Sequence, residues 1–255
     1  MLKILAIGDV CGPCGLDILR RKMNQMKQDT GADLIVVNGE NAGGRGLTPA
    51  MADEMFYAGA DVITLGNHTF DQKSIYDYLD EKKNIVRPAN LPAARPGYGY
   101  TFVEVKGKKV GILNMMGRHL MDYMNTDPFE YAEQLLKREQ ADVWCLDFHT
   151  ETTSEKQCMG YFLDGRFSCI WGTHTHVQTA DNHVLPKGTG YISDLGMTGS
   201  LESCIGMDYV QAVNRFRGQL VGALVPSDKD PGVQGALFTL DDAGKCLSVE
   251  RFTWR

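Results

Sequence analysis

Apolar, β-branched runs recur along this chain with room for a helix between most of them, and five of the runs end in polar residues able to bind a metal ion. Residues 2–7 read as a strand that delivers Gly8-Asp9, and residues 33–38 as a second that delivers Gly39-Glu40-Asn41. Residues 61–65 deliver Gly66-Asn67-His68, residues 142–148 run into His149, and residues 167–171 run into Gly172-Thr173-His174-Thr175-His176. Strands that alternate with helices predict βαβ units, and the carboxyl edge of such strands is where α/β sheets bind ligands. Polar residues placed only for local structure have no reason to fall at that edge five times. The pattern therefore constrains fold and chemistry together.

Helices are expected over 13–28, ending near Gly31, and after Thr48, which reads as an N-cap with Pro49 at the first helical position. Further helices are expected over about 72–82, 128–140, 154–163 and 208–217. Residues 98–105 and 109–115 read as a hairpin, and so do 233–240 and 246–252 around Asp241-Asp242-Ala243-Gly244. There is no internal repeat, low-complexity tract or obvious linker. The expectation is one α/β domain over residues 1–255, built as two packed mixed β-sheets flanked by helices.

Composition narrows the function classes. A net charge of −6 argues against a strongly basic nucleic-acid-binding surface, while leaving room for a local basic patch. No apolar segment is long enough for secretion or for spanning a membrane, so a cytoplasmic location is expected. The 7 cysteines are odd in number and scattered, which speaks against a disulfide framework.

The candidate ligands are Asp9, Glu40, Asn41, Asn67, His149, His174 and His176. Carboxylate, amide and imidazole together suit iron or manganese, with zinc as a further candidate, rather than a thiolate zinc site. His174 and His176 point the same way if the chain stays extended through them. Seven donors exceed what one tetrahedral ion needs, so two ions sharing a bridging carboxylate is the economical reading. Ions about 3.5–4 Å apart can bind a phosphate ester and activate a bridging water.

The same residues carry a family resemblance. Gly8-Asp9, Gly39-Glu40-Asn41, Gly66-Asn67-His68, His149 and Gly172-Thr173-His174-Thr175-His176 resemble, in order, the blocks of the calcineurin-like metallophosphoesterases. The wording is closer to one branch. Ala42 after the glutamate block, Gly46-Leu47-Thr48, Gly66 through Asp71, and the run from Gly172 to Asp181 resemble the YmdB-like bacterial phosphodiesterases. Two departures from the wider superfamily, Cys11 where a histidine is usual and Glu40 where an aspartate is commoner, favour that branch.

The resemblance implies that Asp9, Glu40, Asn41 and His176 hold one ion, and that Glu40, Asn67, His149 and His174 hold the other. It implies that His68 is not a ligand but the general acid facing the leaving oxygen, while a metal-bridging hydroxide attacks. It further implies activity on 2′,3′-cyclic nucleotides, with RNA ends as a wider substrate class. A small-molecule phosphomonoesterase is the first alternative, and a metal-bound regulatory or RNA-binding protein with incidental hydrolysis the second. Homo-oligomerisation is left open.

Some features rank below this. Cys11-Gly12-Pro13-Cys14 has the wording of a thioredoxin-type pair, but Val10 precedes it and Asp9 is already needed for metal, so it reads as a tight strand-to-helix turn. Gly43-Gly44-Arg45-Gly46 could bring a cation to a phosphate or serve as a connector, His183 could line the substrate mouth, and His119 lacks such context.

Overall fold

The computed structural model describes residues 1–121 and 124–255. Its first sheet has eight strands. β1 (Leu2–Ile7), β3 (Leu34–Asn38), β4 (Val62–Thr64) and β5 (Ile85–Val86) run parallel, while β13 (Pro231–Leu240) is antiparallel to β1 on its other side. Beyond β13 come β12 (Met197–Ser200) and the two-residue β2 (Asp9–Val10), and β14 (Cys246–Trp254) also pairs with β13. The second sheet has the order β10 (His183–Val184), β11 (Gly190–Ile192), β9 (Cys169–Thr173), β8 (Val143–His149), β7 (Lys108–Met116), β6 (Tyr100–Val105). Both sheets are mixed.

Side-chain alternation explains why the sheets stack. Along β1 and β3, Leu2, Ile4, Ala6, Leu34 and Val36 face the second sheet and meet Val110, Ile112, Val143, Cys145 and Trp171. The intervening residues, Leu5, Ile7, Ile35 and Val37, face outward onto α1 (Gly12–Thr30) and α2 (Pro49–Ala58) through Ile18, Leu19, Met23 and Met55. The second sheet repeats the scheme, with Trp144, Leu146 and Phe148 packing under α4 (Pro128–Arg138) and α5 (Thr153–Leu163). The strands are apolar on both faces because each face is covered. The result is the expected pair of mixed sheets with helices outside.

Local signals act as the physics requires. Thr48 caps α2 by accepting from the Met51 N–H, and Gly31 closes α1 in a left-handed conformation at φ 64. The helix expected over 72–82 is instead a 3₁₀ turn over Lys73–Ile75 followed by α3 (Tyr76–Glu81). Short strands escape a periodicity reading: β2, β5 and β10–β12 span only two to four residues, and β11 and β12 contain glycine. Among the described residues no helix is long and apolar enough to cross a membrane.

Candidate metal centre

Residues widely separated in sequence converge where the carboxyl ends of β1, β3, β4, β8 and β9 meet. Asp9 does not simply end β1. It pairs with Met197 in the β2–β12 ladder, and the Asp9 N–H donates to the Gly196 carbonyl at 3.2 Å. Glu40, Asn67 and His149 follow β3, follow β4 and end β8. Glu40, His149 and His174 each offer a ligand atom, and these atoms all lie within 4.8 Å of one another.

The cluster has two lobes that share Glu40. In one, His149 Nε2 lies 3.1 Å from Glu40 Oε1, 2.9 Å from Asn67 Oδ1 and 3.1 Å from His174 Nδ1. In the other, Asn41 Nδ2 lies 3.1 Å from Glu40 Oε1 and 3.2 Å from His176 Nε2, with Asp9 Oδ1 3.7 Å from that same nitrogen. The structure thus brings together all seven candidate ligands. Asn41 presents its amide nitrogen inward, so ligation by its oxygen requires the amide to turn over.

Partners outside the cluster decide which nitrogen of each ring faces inward. The Thr173 hydroxyl donates to Asp147 Oδ1 at 2.6 Å, so it accepts from His149 Nδ1 at 2.9 Å and leaves Nε2 inward to offer its lone pair to a cation. His174 Nε2 is held by Glu151 at 3.1 Å, which leaves Nδ1 inward. His176 Nδ1 donates to the Ile205 carbonyl at 3.0 Å, which leaves Nε2 inward. Apart from the Asn41 amide nitrogen, oxygen and nitrogen ligand atoms therefore face one another about 3 Å apart, close to the spacing of ligand atoms that share one ion at 2.0–2.2 Å.

Further observations fit a cation. Asp9 Oδ1 is buried with no hydrogen-bond partner among the described residues, a costly state for a carboxylate oxygen unless an ion meets it. A Cβ on Gly66 would fall 2.2 Å from Glu40 Oε2 and 2.3 Å from His149 Nε2, so only glycine lets the backbone pass this close. Burial lifts the Asp9 carboxyl to about 6. Burial also acts to raise Glu40, but a proton on His149 Nε2, standing where a cation would, outweighs it by charge and hydrogen bond and holds Glu40 down to about 2. Burial, with the like charge of His149, pushes His174 down to about 3, so its ring is neutral and able to ligate.

One expectation fails. The chain does not stay extended through the two histidines: β9 stops at Thr173, and His174 and His176 take positive φ of 99 and 62. Such conformations cost on the order of 1–3 kcal/mol each and persist only where surroundings impose them. Here the buried Asp194 accepts from the Thr175 N–H at 3.2 Å and its hydroxyl at 2.7 Å, and is itself paired with buried Lys156 at 2.6 Å. That turn sends the two imidazoles into different lobes.

His68 stands apart. Its N–H donates to Glu40 Oε2 at 3.1 Å, while its ring Nδ1 lies 3.0 Å from Asp71 Oδ2. Arg45 Nε pairs with the same Asp71 oxygen at 3.1 Å, so the Gly43–Gly46 loop brings a cation to His68. Cys11-Gly12-Pro13 forms the expected strand-to-helix turn, with Pro13 in the first turn of α1 and Cys11 at the N-cap position without a side-chain cap bond. The thiols of Cys11 and Cys14 are free, and Cys11 Sγ lies 3.5 Å from His176 Nδ1. His183 lines a separate small cavity with Tyr161 and Asp181, and the exposed His119 donates its backbone N–H to Glu155. Sequence reasoning missed Asp147, Thr173, Glu151, Lys156 and Asp194. Asp147 carried a signal: it is an acid within an apolar run, two residues before His149 and so on the same strand face.

Comparisons with known proteins place the chain in a family. The family model described as YmdB-like protein matches residues 5–252. The chain is 41% identical over 254 residues to the 2′,3′-cyclic-nucleotide 2′-phosphodiesterase of Bacillus subtilis, covering 98% of this chain and 96% of that protein. A crystal structure of a hypothetical protein from Thermus thermophilus superposes with a TM-score of 0.93 at 35% identity, covering 99% of both chains. A novel phosphatase from Mycoplasma pneumoniae gives 0.93 at 33% identity, covering 99% of this chain and 92% of the other.

Proposed function

Because this chain belongs to the YmdB-like family of the metallophosphoesterase fold, we propose that it is a dinuclear metal-dependent phosphodiesterase of 2′,3′-cyclic nucleotides. In this reading residues 1–255 act as one catalytic domain, and RNA ends carrying a cyclic phosphate are a wider substrate class. Iron or manganese suits the donor set best, with zinc a third choice. The seven free thiols fit the reducing cytoplasm.

The observation that carries the reading is the set of inward ligand atoms around Glu40, with an orphaned Asp9 oxygen beside them. Asp9, Asn41 and His176 would hold one ion, Asn67, His149 and His174 the other, and Glu40 both. Two bound ions supply positive charge for the phosphoryl oxygens and lower the pKa of a water for attack.

The chain's own residues do the rest. Asp71 holds the Nδ1 side of His68, so Nε2 is free to carry the proton that the departing ribose oxygen needs. Ring opening then balances: hydroxide adds to phosphorus as one P–O bond breaks, and the ribose oxygen leaves as a hydroxyl. The Bacillus relative's name points to the 2′ oxygen. Arg45 steadies Asp71 at the open side of the site.

The test compares bis-p-nitrophenyl phosphate with p-nitrophenyl phosphate on metal-replete protein, followed by 2′,3′- and 3′,5′-cyclic nucleotides. Preference for the diester and for the 2′,3′ ring is expected. Preference for the monoester would replace this reading with a phosphomonoesterase.

A further inference from the structure

His176 belongs to the cluster and also walls a polar cavity of about 620 Å³, the size of a nucleotide-scale site. Its other walls include Gln178, Ser203, Gln234 and three residues at the end of the chain: Arg251, Thr253 and Arg255. Strand alternation aligns that row. Phe252 and Trp254 pack onto the core beneath α1, so Arg251 and Thr253 take the opposite face of β14, and Arg255 continues the row.

Cluster and row are joined by a short stretch of chain. Two residues past His176, Gln178 Nε2 donates to the carbonyls of Gly235 and Phe252 at 3.0 Å each, pinning the segment across β13 and β14. Arg255 shares its charge with Asp230 at 3.4 Å, whereas Arg251 forms no ion pair among the described residues.

Hydrolysis of a cyclic phosphate uses only the scissile group, yet the neighbouring cavity presents two guanidinium groups, whose forked donors match phosphate oxygens. In a chain of net charge −6 the overall field does not draw in an anion, so local arginines must do so. We propose that this cavity is a subsite for a second phosphate group on the substrate, held by Arg251 with Arg255 beside it. The inference rests on the phosphodiesterase reading and deepens it: the preferred substrate carries another phosphate besides the one hydrolysed. That group is a 5′-phosphate on the nucleotide or the linkage to a preceding nucleotide.

Titration calorimetry on the metal-loaded protein separates the sources and does not depend on turnover. The probes are adenosine 3′-monophosphate, adenosine 3′,5′-bisphosphate, and a dinucleotide with a 3′-terminal phosphate and no 5′-phosphate. One or both of the latter should bind about tenfold tighter than the monophosphate, and the gain should vanish in an Arg251→Gln, Arg255→Gln double variant. A gain for the bisphosphate assigns the 5′-phosphate, and a gain for the dinucleotide assigns the linkage. Both arginines are exposed, so folding should survive, and in the unaltered protein added salt should shrink the same gain. Equal affinity for all three probes overturns the subsite, and so does a gain that persists in the double variant or is indifferent to salt. Failure to hydrolyse 2′,3′-cyclic nucleotides is a separate result that strikes the catalytic reading alone.

Discussion

His68 and Asn67 are neighbours in sequence with different tasks, and what each touches separates them. Asn67 turns Oδ1 toward His149 Nε2, one ligand atom facing another, whereas the His68 ring meets Asp71 and leaves Nε2 unengaged among the described residues. His68→Ala should therefore keep its full metal content and lose turnover by roughly 10²–10⁴-fold. Elemental analysis beside a rate measurement checks this, and loss of metal would make His68 a ligand instead. At this scale the sequence was highly legible, because the ligand types and the separate histidine sit in short motifs at strand ends. Less legible was how His174 and His176 divide between the lobes. An extended chain would aim both one way, and the division depends on positive φ imposed through Asp194, some twenty residues on.

Four strands meet beneath the cluster through one buried carboxylate. Asp147 on β8 accepts from Thr64 on β4 at 2.5 Å, Thr173 on β9 at 2.6 Å and Asn38 on β3 at 3.2 Å. Two of these strands lie in each sheet, so the network ties the sheets together where the ligands emerge, and through Thr173 it sets the tautomer of His149. Thr173→Val should weaken metal binding by about 10–100-fold, because the His149 Nδ1–H loses its acceptor, while Thr173→Ser restores it. Competition with a metal indicator measures this, and wild-type affinity in the valine variant would remove the network from the account. The long apolar strands and the capped helices were readable from periodicity and turn chemistry. The network was not, since it joins residues up to 135 positions apart, and neither were the two- to four-residue strands that place Asp9.

The whole molecule is a pair of sheets whose strand ends supply one half-site each. Asp9, Glu40, Asn41 and Asn67 come from the first sheet, and His149, His174 and His176 from the second or the turn beyond it. The sandwich presses these groups together with their ligand atoms inward, Asn41 apart, and Glu40 touches both lobes. The central claim is that Glu40 joins two ions in one phosphodiesterase site. Elemental analysis of protein purified without chelators, run beside the Glu40→Gln variant, tests it most directly. The account predicts two equivalents of transition metal per chain in the unaltered protein and fewer than one in the variant, whose bridge has lost its charge. A single equivalent in the first, or two retained in the second, would contradict it.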